Sequence, residues 1–387
     1  MIKRKHIFIA SALALFVCIF VYGVLVGARQ YPPYHALVLV KAKVLGQPLH
    51  PNHNFYTVDQ RYLETDPEKL IQLQNAQDVD TKRKHLAAVI WNNTMLPLGA
   101  LPRVEEAVSD DRYKDLVNLL RIDRLTVEMD YGLRSVCYHF LPKKSNGHLV
   151  IYHQGHRGDF FLGKQTISEL LREGYSVVGM AMPLKGMNKQ PVVQLERFGR
   201  LKMESHDQMK LLTTDTGHPV HFFLEPVVIV VNYAKKLNVN TVNMIGISGG
   251  GWTTVLNAAL DTRIDRSYSV AGTLPIYLRS EVNSHWQDYE HTVPEIYTVA
   301  NYLELYILAS TANEGRARRH YQIINRYDSS CFFGMGFKTY EDNVINAVQR
   351  FGQGQFDVIL DETHRGHKIS RWVLERILAD LKRPVEA

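Results

Sequence analysis

From residue 148 onward the chain alternates short apolar runs with amphipathic ones, and this rhythm limits the possible folds more than any other feature. The apolar runs at 148–153, 175–182, 242–247, 264–270, 320–325 and 356–361 read as strands. Helical patterns fill the intervals at 163–172, 222–236, 250–260, 302–309, 340–351 and 370–382. Strands separated by helices pair in parallel, because each helix carries the chain back to the starting edge. Ahead of them, 122–129 and 133–141 alternate apolar and polar residues around Tyr131-Gly132, the pattern of an antiparallel hairpin. The expected fold class is α/β: a mostly parallel sheet with helices on both faces, opened by a hairpin. Sites in such sheets lie at the carboxyl ends of the strands.

One of those ends carries a motif. Gly246-Ile247-Ser248-Gly249-Gly250 follows an apolar strand directly and opens a helix. In G-x-S-x-G the serine sits on a sharp strand-to-helix turn, and residues without a β-carbon on either side let the two elements approach closely. The helix N-terminus then offers N–H donors, that of Gly249 first, to a developing oxyanion. A phosphate loop is disfavoured, since no lysine follows the glycines.

With Ser248 in that setting, residues 122–381 resemble the α/β-hydrolase fold family, whose chain order is nucleophile, acid, histidine. The resemblance implies a serine hydrolase, in the first instance a carboxylic ester hydrolase working through a Ser-His-Asp triad and needing no cofactor or metal. It places the acid at Asp328, in the loop after the strand HYQIIN, whereas Asp342 falls within a helical pattern and Asp357 within a strand. The base falls in Glu362–Ser370, where two histidines compete: His367, preceded by Gly366 just ahead of the last helix, is favoured, and His364 is the alternative. The turn Gln154-Gly155-His156 after the strand HLVIYH partly resembles the family's second oxyanion donor, which makes Gly155 and His156 candidates beside Gly249.

Two other chemistries compete. His153 and His156, like His364 and His367, are spaced H-x-x-H beyond strand ends, with Asp159 and Asp361 nearby, a set able in principle to bind zinc and activate water. It would leave the serine turn unexplained. A catalytically inert binding module tethered to a membrane is the second rival, because a fold alone never establishes activity.

Of the formal net charge of +6, Lys3, Arg4, Lys5 and Arg29 supply four, so the remainder is too near neutral to suggest a nucleic-acid partner. The uncharged run 7–28 is long enough, at roughly 33 Å as a helix, to span a membrane, and the basic residues before it predict a cytoplasmic N-terminus with the rest of the chain outside. A cleaved signal peptide is the competing reading of the same run. The expected organisation is therefore a basic tip and transmembrane signal-anchor (1–29), a stalk with helices near 66–78 and 82–95 (30–120), and the α/β-hydrolase-like domain (121–387). A lid-like insertion is expected at about 275–300, with Trp286, Tyr289 and Tyr297 as candidate pocket residues. Substrate expectations stop at a small-molecule or polysaccharide-linked ester. Three cysteines, Cys18, Cys137 and Cys331, make no disulfide framework.

Overall fold

The structure, a computed structural model, describes residues 2–29, 55, 57–58, 60–93, 95–212, 214–215, 217–279, 288–311, 317–328, 330–351 and 354–383. The chain divides into two compact units, Met1–His53 and Asn54–Ala387. In the first, helix α1 (Ile2–Arg29) exposes Leu13, Leu15, Phe16, Ile19 and Phe20. Among the described residues no helix is long and apolar enough to cross a membrane, so the expected anchor is not supported by the structure.

The second unit is built on a nine-stranded sheet. In chain order its strands are β1 (Arg103–Glu105), β2 (Leu119–Glu128), β3 (Arg134–Pro142), β4 (Leu149–His153) and β5 (Ser176–Met180). A separate two-stranded hairpin, β6 (Val192–Leu195) and β7 (Gly199–Lys202), interrupts the series before β8 (Val242–Ile247), β9 (Ile264–Val270), β10 (Arg319–Asn325) and β11 (Gln355–Asp361). The spatial order is β1-β2-β3-β5-β4-β8-β9-β10-β11, antiparallel from β1 to β5 and parallel from β5 to β11. After β4 the chain moves outward to β5, then returns to place β8 on the other side of β4. That reversal opens a crevice at the carboxyl ends of β4 and β8, where His153 pairs in register with Gly246.

Helices α2 (Ala76–Trp91), α3 (Lys164–Arg172), α4 (His221–Lys236), α5 (Gly249–Leu260), α6 (Tyr302–Ser310), α7 (Glu341–Arg350) and α8 (Arg371–Leu381) cover the sheet. All six residues of β8 are buried, as a central parallel strand with both faces covered requires. Ile245 and Ile247 share a cluster with Ile167 of α3 and with Val373 and Ile377 of α8, whereas Met244 packs with Val227 and Val231 of α4.

Before the hairpin the helices fall at Pro67–Leu70 and Ala76–Trp91, not at 66–78 and 82–95. The cause is Asn75, which forms a reciprocal capping box with Asp78 and starts α2 afresh, and Asn92, whose left-handed conformation (φ 49°) ends it. This segment is bound tightly to the sheet-bearing body. Buried Arg83 donates to the carbonyls of Ala259 (2.8 Å), Leu308 (2.9 Å) and Thr311 (3.1 Å). Arg318, from beside β10, donates to those of Ala258, Leu308 and Thr311. Two guanidiniums thus satisfy carbonyls left open at the C-terminal ends of α5 and α6, where the helix dipoles favour positive charge. Lys82 adds an ion pair to buried Glu304 at 2.7 Å.

Two core histidines set an acid limit on this fold. Burial holds His139 down at about 4, and burial together with Arg318 holds His320, bonded through Nδ1 to Ser267 Oγ, down at about 3. Both are neutral in the folded protein below the pH at which an unfolded histidine, near 6.5, takes up a proton. Stability from this source is complete above pH 6.5 and should fall as pH drops from 6.5 toward 4, by on the order of 3 kcal/mol per histidine. Urea titrations across that range should show the slope, and His320→Gln should flatten it; an unchanged slope in that variant would remove His320 from the account.

Candidate active site

Ser248 stands between β8 and α5 with φ 58° and ψ −128°. A non-glycine residue in this region costs on the order of 1–3 kcal/mol, so the surroundings must hold it there. They do so through backbone: Ser248 N–H donates to Val270 O (2.9 Å), and Ser248 O accepts from Trp252 N–H (3.0 Å). The neighbouring glycines leave room for nothing more. A Cβ on Gly246 would lie 2.0 Å from Gly250 O, and one on Gly250 would lie 2.1 Å from His153 O. The turn after β4 is pressed as closely, since a Cβ on Gly155 would come within 2.6 Å of Ser248 Cβ and 3.1 Å of Gly249 N. The backbone of Gly155 and the N-terminal N–H of α5 therefore flank the serine.

His367 comes from the loop between β11 and α8, and Asp328 from the loop after β10. His367 Nδ1–H donates to Asp328 Oδ2 at 2.5 Å, while the other carboxylate oxygen accepts from Ser330 N–H at 2.8 Å. This fixes the tautomer: His367 Nε2 carries the lone pair, is buried and makes no hydrogen bond. The loop is braced by Asn325, which donates to Lys368 O at 3.0 Å. Ser248 and His367 line one cavity of about 310 Å³ together with Tyr152, Gln154, Gly155, Leu162 and Ile369. Ser248 and His367 thus share a cavity and His367 shares a hydrogen bond with Asp328, while no hydrogen bond joins His367 Nε2 to Ser248.

His364 is turned to a different task. Its Nε2 meets Asp361 Oδ2 at 3.1 Å, and its Nδ1 accepts from Gly366 N–H. Asp361 also accepts from Thr363 and Ser370, and those bonds hold its carboxyl far below the ordinary range against the opposing effect of burial. His364 thereby shapes the loop that carries His367, and it does not line the cavity.

The H-x-x-H pairs do not converge as a zinc site would demand. His153 is buried against Gln154 O (2.9 Å), with burial holding it down at about 4, and Asp159 caps the turn at Phe161 and pairs with Arg112. His364 and His367 face separate aspartates. Each histidine was drawn to the nearest available partner, and sequence spacing carries no information about that. In the insertion, Tyr297 is buried: its hydroxyl accepts from Trp252 Nε1 (2.7 Å) and donates to Glu290 O (2.8 Å). Tyr289 packs on Phe223, so both tyrosines seat the insertion on the body and do not line the cavity; Trp286 lies outside the described residues.

The sequence reading missed two features. Cys331 Sγ lies 3.9 Å from Ser248 Oγ. His156 does not face the cavity: its Nε2 meets buried Glu290 at 2.9 Å, in a cluster with His206 and Asp288. The four residues come from three separate connections, so no local spacing announces them.

The architecture is shared with solved esterases. Acetyl xylan esterase 1 from Thermoanaerobacterium sp. JW/SL YS485 superposes with a TM-score of 0.54 at 14% identity, over 85% of this chain and 100% of its own. An acetyl xylan esterase from Paenibacillus sp. R4 gives 0.52 at 14% identity, over 84% and 99%. No protein-family model matches the sequence, and no curated protein matches it. At this identity the likeness defines the fold alone, a mostly parallel α/β sheet flanked by helices.

The glycine contacts make a direct test. Gly250→Ala should force the turn after β4 away from α5, destabilise the protein by about 3 kcal/mol in urea titrations and abolish serine-directed labelling. Gly99→Ala, at a position with nothing within 4 Å, should change neither.

Proposed function

We propose that the protein is a serine ester hydrolase with Ser248 as nucleophile, His367 as general base and Asp328 as the acid that orients it. One observation carries the reading: a serine held at positive φ shares a cavity with a histidine whose Nδ1–H is held by a buried aspartate and whose Nε2 is left to accept a proton. As Ser248 Oγ attacks the ester carbonyl, its proton passes to His367 Nε2, and Asp328 stabilises the imidazolium. The carbonyl oxygen becomes an oxyanion facing the N–H of Gly249 and that of Gly155 or His156, at the positive end of α5. Collapse expels the alcohol, which takes the proton back from His367. Water attacks the acyl-enzyme by the same route and frees the acid.

A cavity of about 310 Å³ with mixed walls, Leu162 and Ile369 beside Gln154 and Gln165, suits a short acyl group. Two solved structures of the same fold are named for acetyl xylan, which supports acetyl esters, free or on a polysaccharide, as the first substrates to try. An extracytoplasmic site of action is proposed on the uncharged run 7–28 behind Lys3, Arg4 and Lys5 alone. Protease added to intact cells should digest the protein if that is right; protection until lysis would reverse it.

For the chemistry, a fluorophosphonate probe should label the protein, and Ser248→Ala should abolish labelling while the thermal melt is unchanged. On p-nitrophenyl acetate, His367→Ala should lower kcat by about 10⁴-fold or more, Asp328→Asn by less, and His364→Ala by under about tenfold. Labelling that survives Ser248→Ala would overturn the mechanism; an inactive His364→Ala beside an active His367→Ala would overturn the choice of base.

A further inference from the structure

Behind the turn after β4 lies a cluster whose side chains no step of the proposed mechanism uses. His156 belongs to that turn, His206 begins the short helix His206–Met209 in the connection from β5 to α4, and Asp288 and Glu290 belong to the insertion after β9. One donor atom from each lies within 4.8 Å of all the others. His156 Nε2 is 2.9 Å from Glu290 Oε1 and 3.5 Å from Asp288 Oδ2, and His206 Nδ1 is 3.0 Å from Asp288 Oδ2 and 3.4 Å from Glu290 Oε1. Around a tetrahedral zinc ion, with bonds of about 2.0–2.2 Å, neighbouring donors stand about 3.3–3.5 Å apart.

The hydrogen-bond geometry points the same way. His206 Nε2 donates to Pro183 O at 2.8 Å, the backbone contact that ordinarily orients an imidazole toward a metal through its other nitrogen. That other nitrogen, fully buried Nδ1, stands at ion-pair distance from both carboxylates without an aligned hydrogen bond to either, and Glu290 Oε2 is buried and unbonded. Two carboxylates, one of them with no exposure, bring a double negative charge that a divalent cation balances. Two nitrogens and two oxygens suit zinc, whereas calcium and magnesium favour oxygen alone. Four protein ligands close the coordination sphere, which marks a structural centre and not one that activates water.

We propose that His156, His206, Asp288 and Glu290 form a structural zinc site. None of the four lines the cavity that holds Ser248. The ion ties the turn after β4 to two long connections, and its His156 ligand lies directly behind the serine turn: a Cβ on Gly249 would come 2.5 Å from His156 Cε1. Zinc thereby positions the backbone of Gly155 and His156 without touching a substrate. Binding stands whether or not Ser248 is a nucleophile.

The test uses the full chain purified without a histidine tag, stripped with a chelator and titrated with zinc chloride. Equimolar zinc should bind with sub-micromolar affinity and raise the melting temperature, and cobalt(II) should give the intense visible bands of a tetrahedral site. Asp288→Asn, at a side chain 42% exposed and so tolerant of change, should weaken zinc binding by about 100-fold or more, and His206→Gln should do the same. Ser248→Ala should bind zinc as the unmodified chain does. A stripped protein that takes up no equimolar zinc or cobalt and melts at the same temperature with and without them would overturn the site, leaving a network of imidazolium–carboxylate pairs. Zinc uptake that persists in both ligand variants would equally overturn it.

Discussion

The molecule depends on one close contact, in which the backbone of β8 and α5 meets the backbone following β4 with no side chain between them. Gly246, Gly250 and Gly155 make the contact possible, each facing a main-chain oxygen or the serine itself at a distance where a Cβ would collide. Ser248 absorbs the geometric cost in its positive φ. The turn is stable because everything around it is buried: every residue of α5 and of β8 is inside the protein. A strained residue persists only where its neighbours over-determine it.

Support for that contact comes from well outside it. α5 is held at its far end by Arg83 and Arg318, which bond carbonyls of Ala258 and Ala259. Burying a guanidinium is unfavourable, and burial indeed brings Arg83 down to about 10 despite Asp80 and Asp261. Open helix carbonyls in a dry interior are unfavourable too, and each need offsets the other. The helix is thus constrained at its C-terminus by charge and at its N-terminus by contact, which leaves the serine little freedom to drift.

What the sequence disclosed follows from how local each signal is. The strands β8 and β9 and the turn at Ser248 are written in consecutive residues, so periodicity and the glycine spacing find them. Asp328 and His367 required knowledge of strand order, because residues 39 apart become partners only when β10 and β11 pair with Asn325 opposite Asp361. The H-x-x-H spacing misled for the complementary reason: His153 points into the core, His156 toward Glu290 and His364 toward Asp361, three directions fixed by tertiary partners. The helix near 66–78 failed because Asn75 and Asp78 cap each other, a short-range bond that outweighs weak periodicity. His206, Asp288 and Glu290 were invisible, since their juxtaposition exists only once three connections have folded over one end of the sheet.

The order in which the proposed catalytic groups lie along the chain bears on synthesis. Ser248 emerges from a ribosome long before Asp328, and His367 comes last, just ahead of α8. The parallel pairings β8·β9, β9·β10 and β10·β11 separate the loop of His367 from that of Ser248, and such non-local pairings are slow to form. On the proposed mechanism, a nascent or truncated chain holds Ser248 without His367, and cleavage would wait until the strands have paired and the last helix has docked. Under that proposal, activity would report on completed folding.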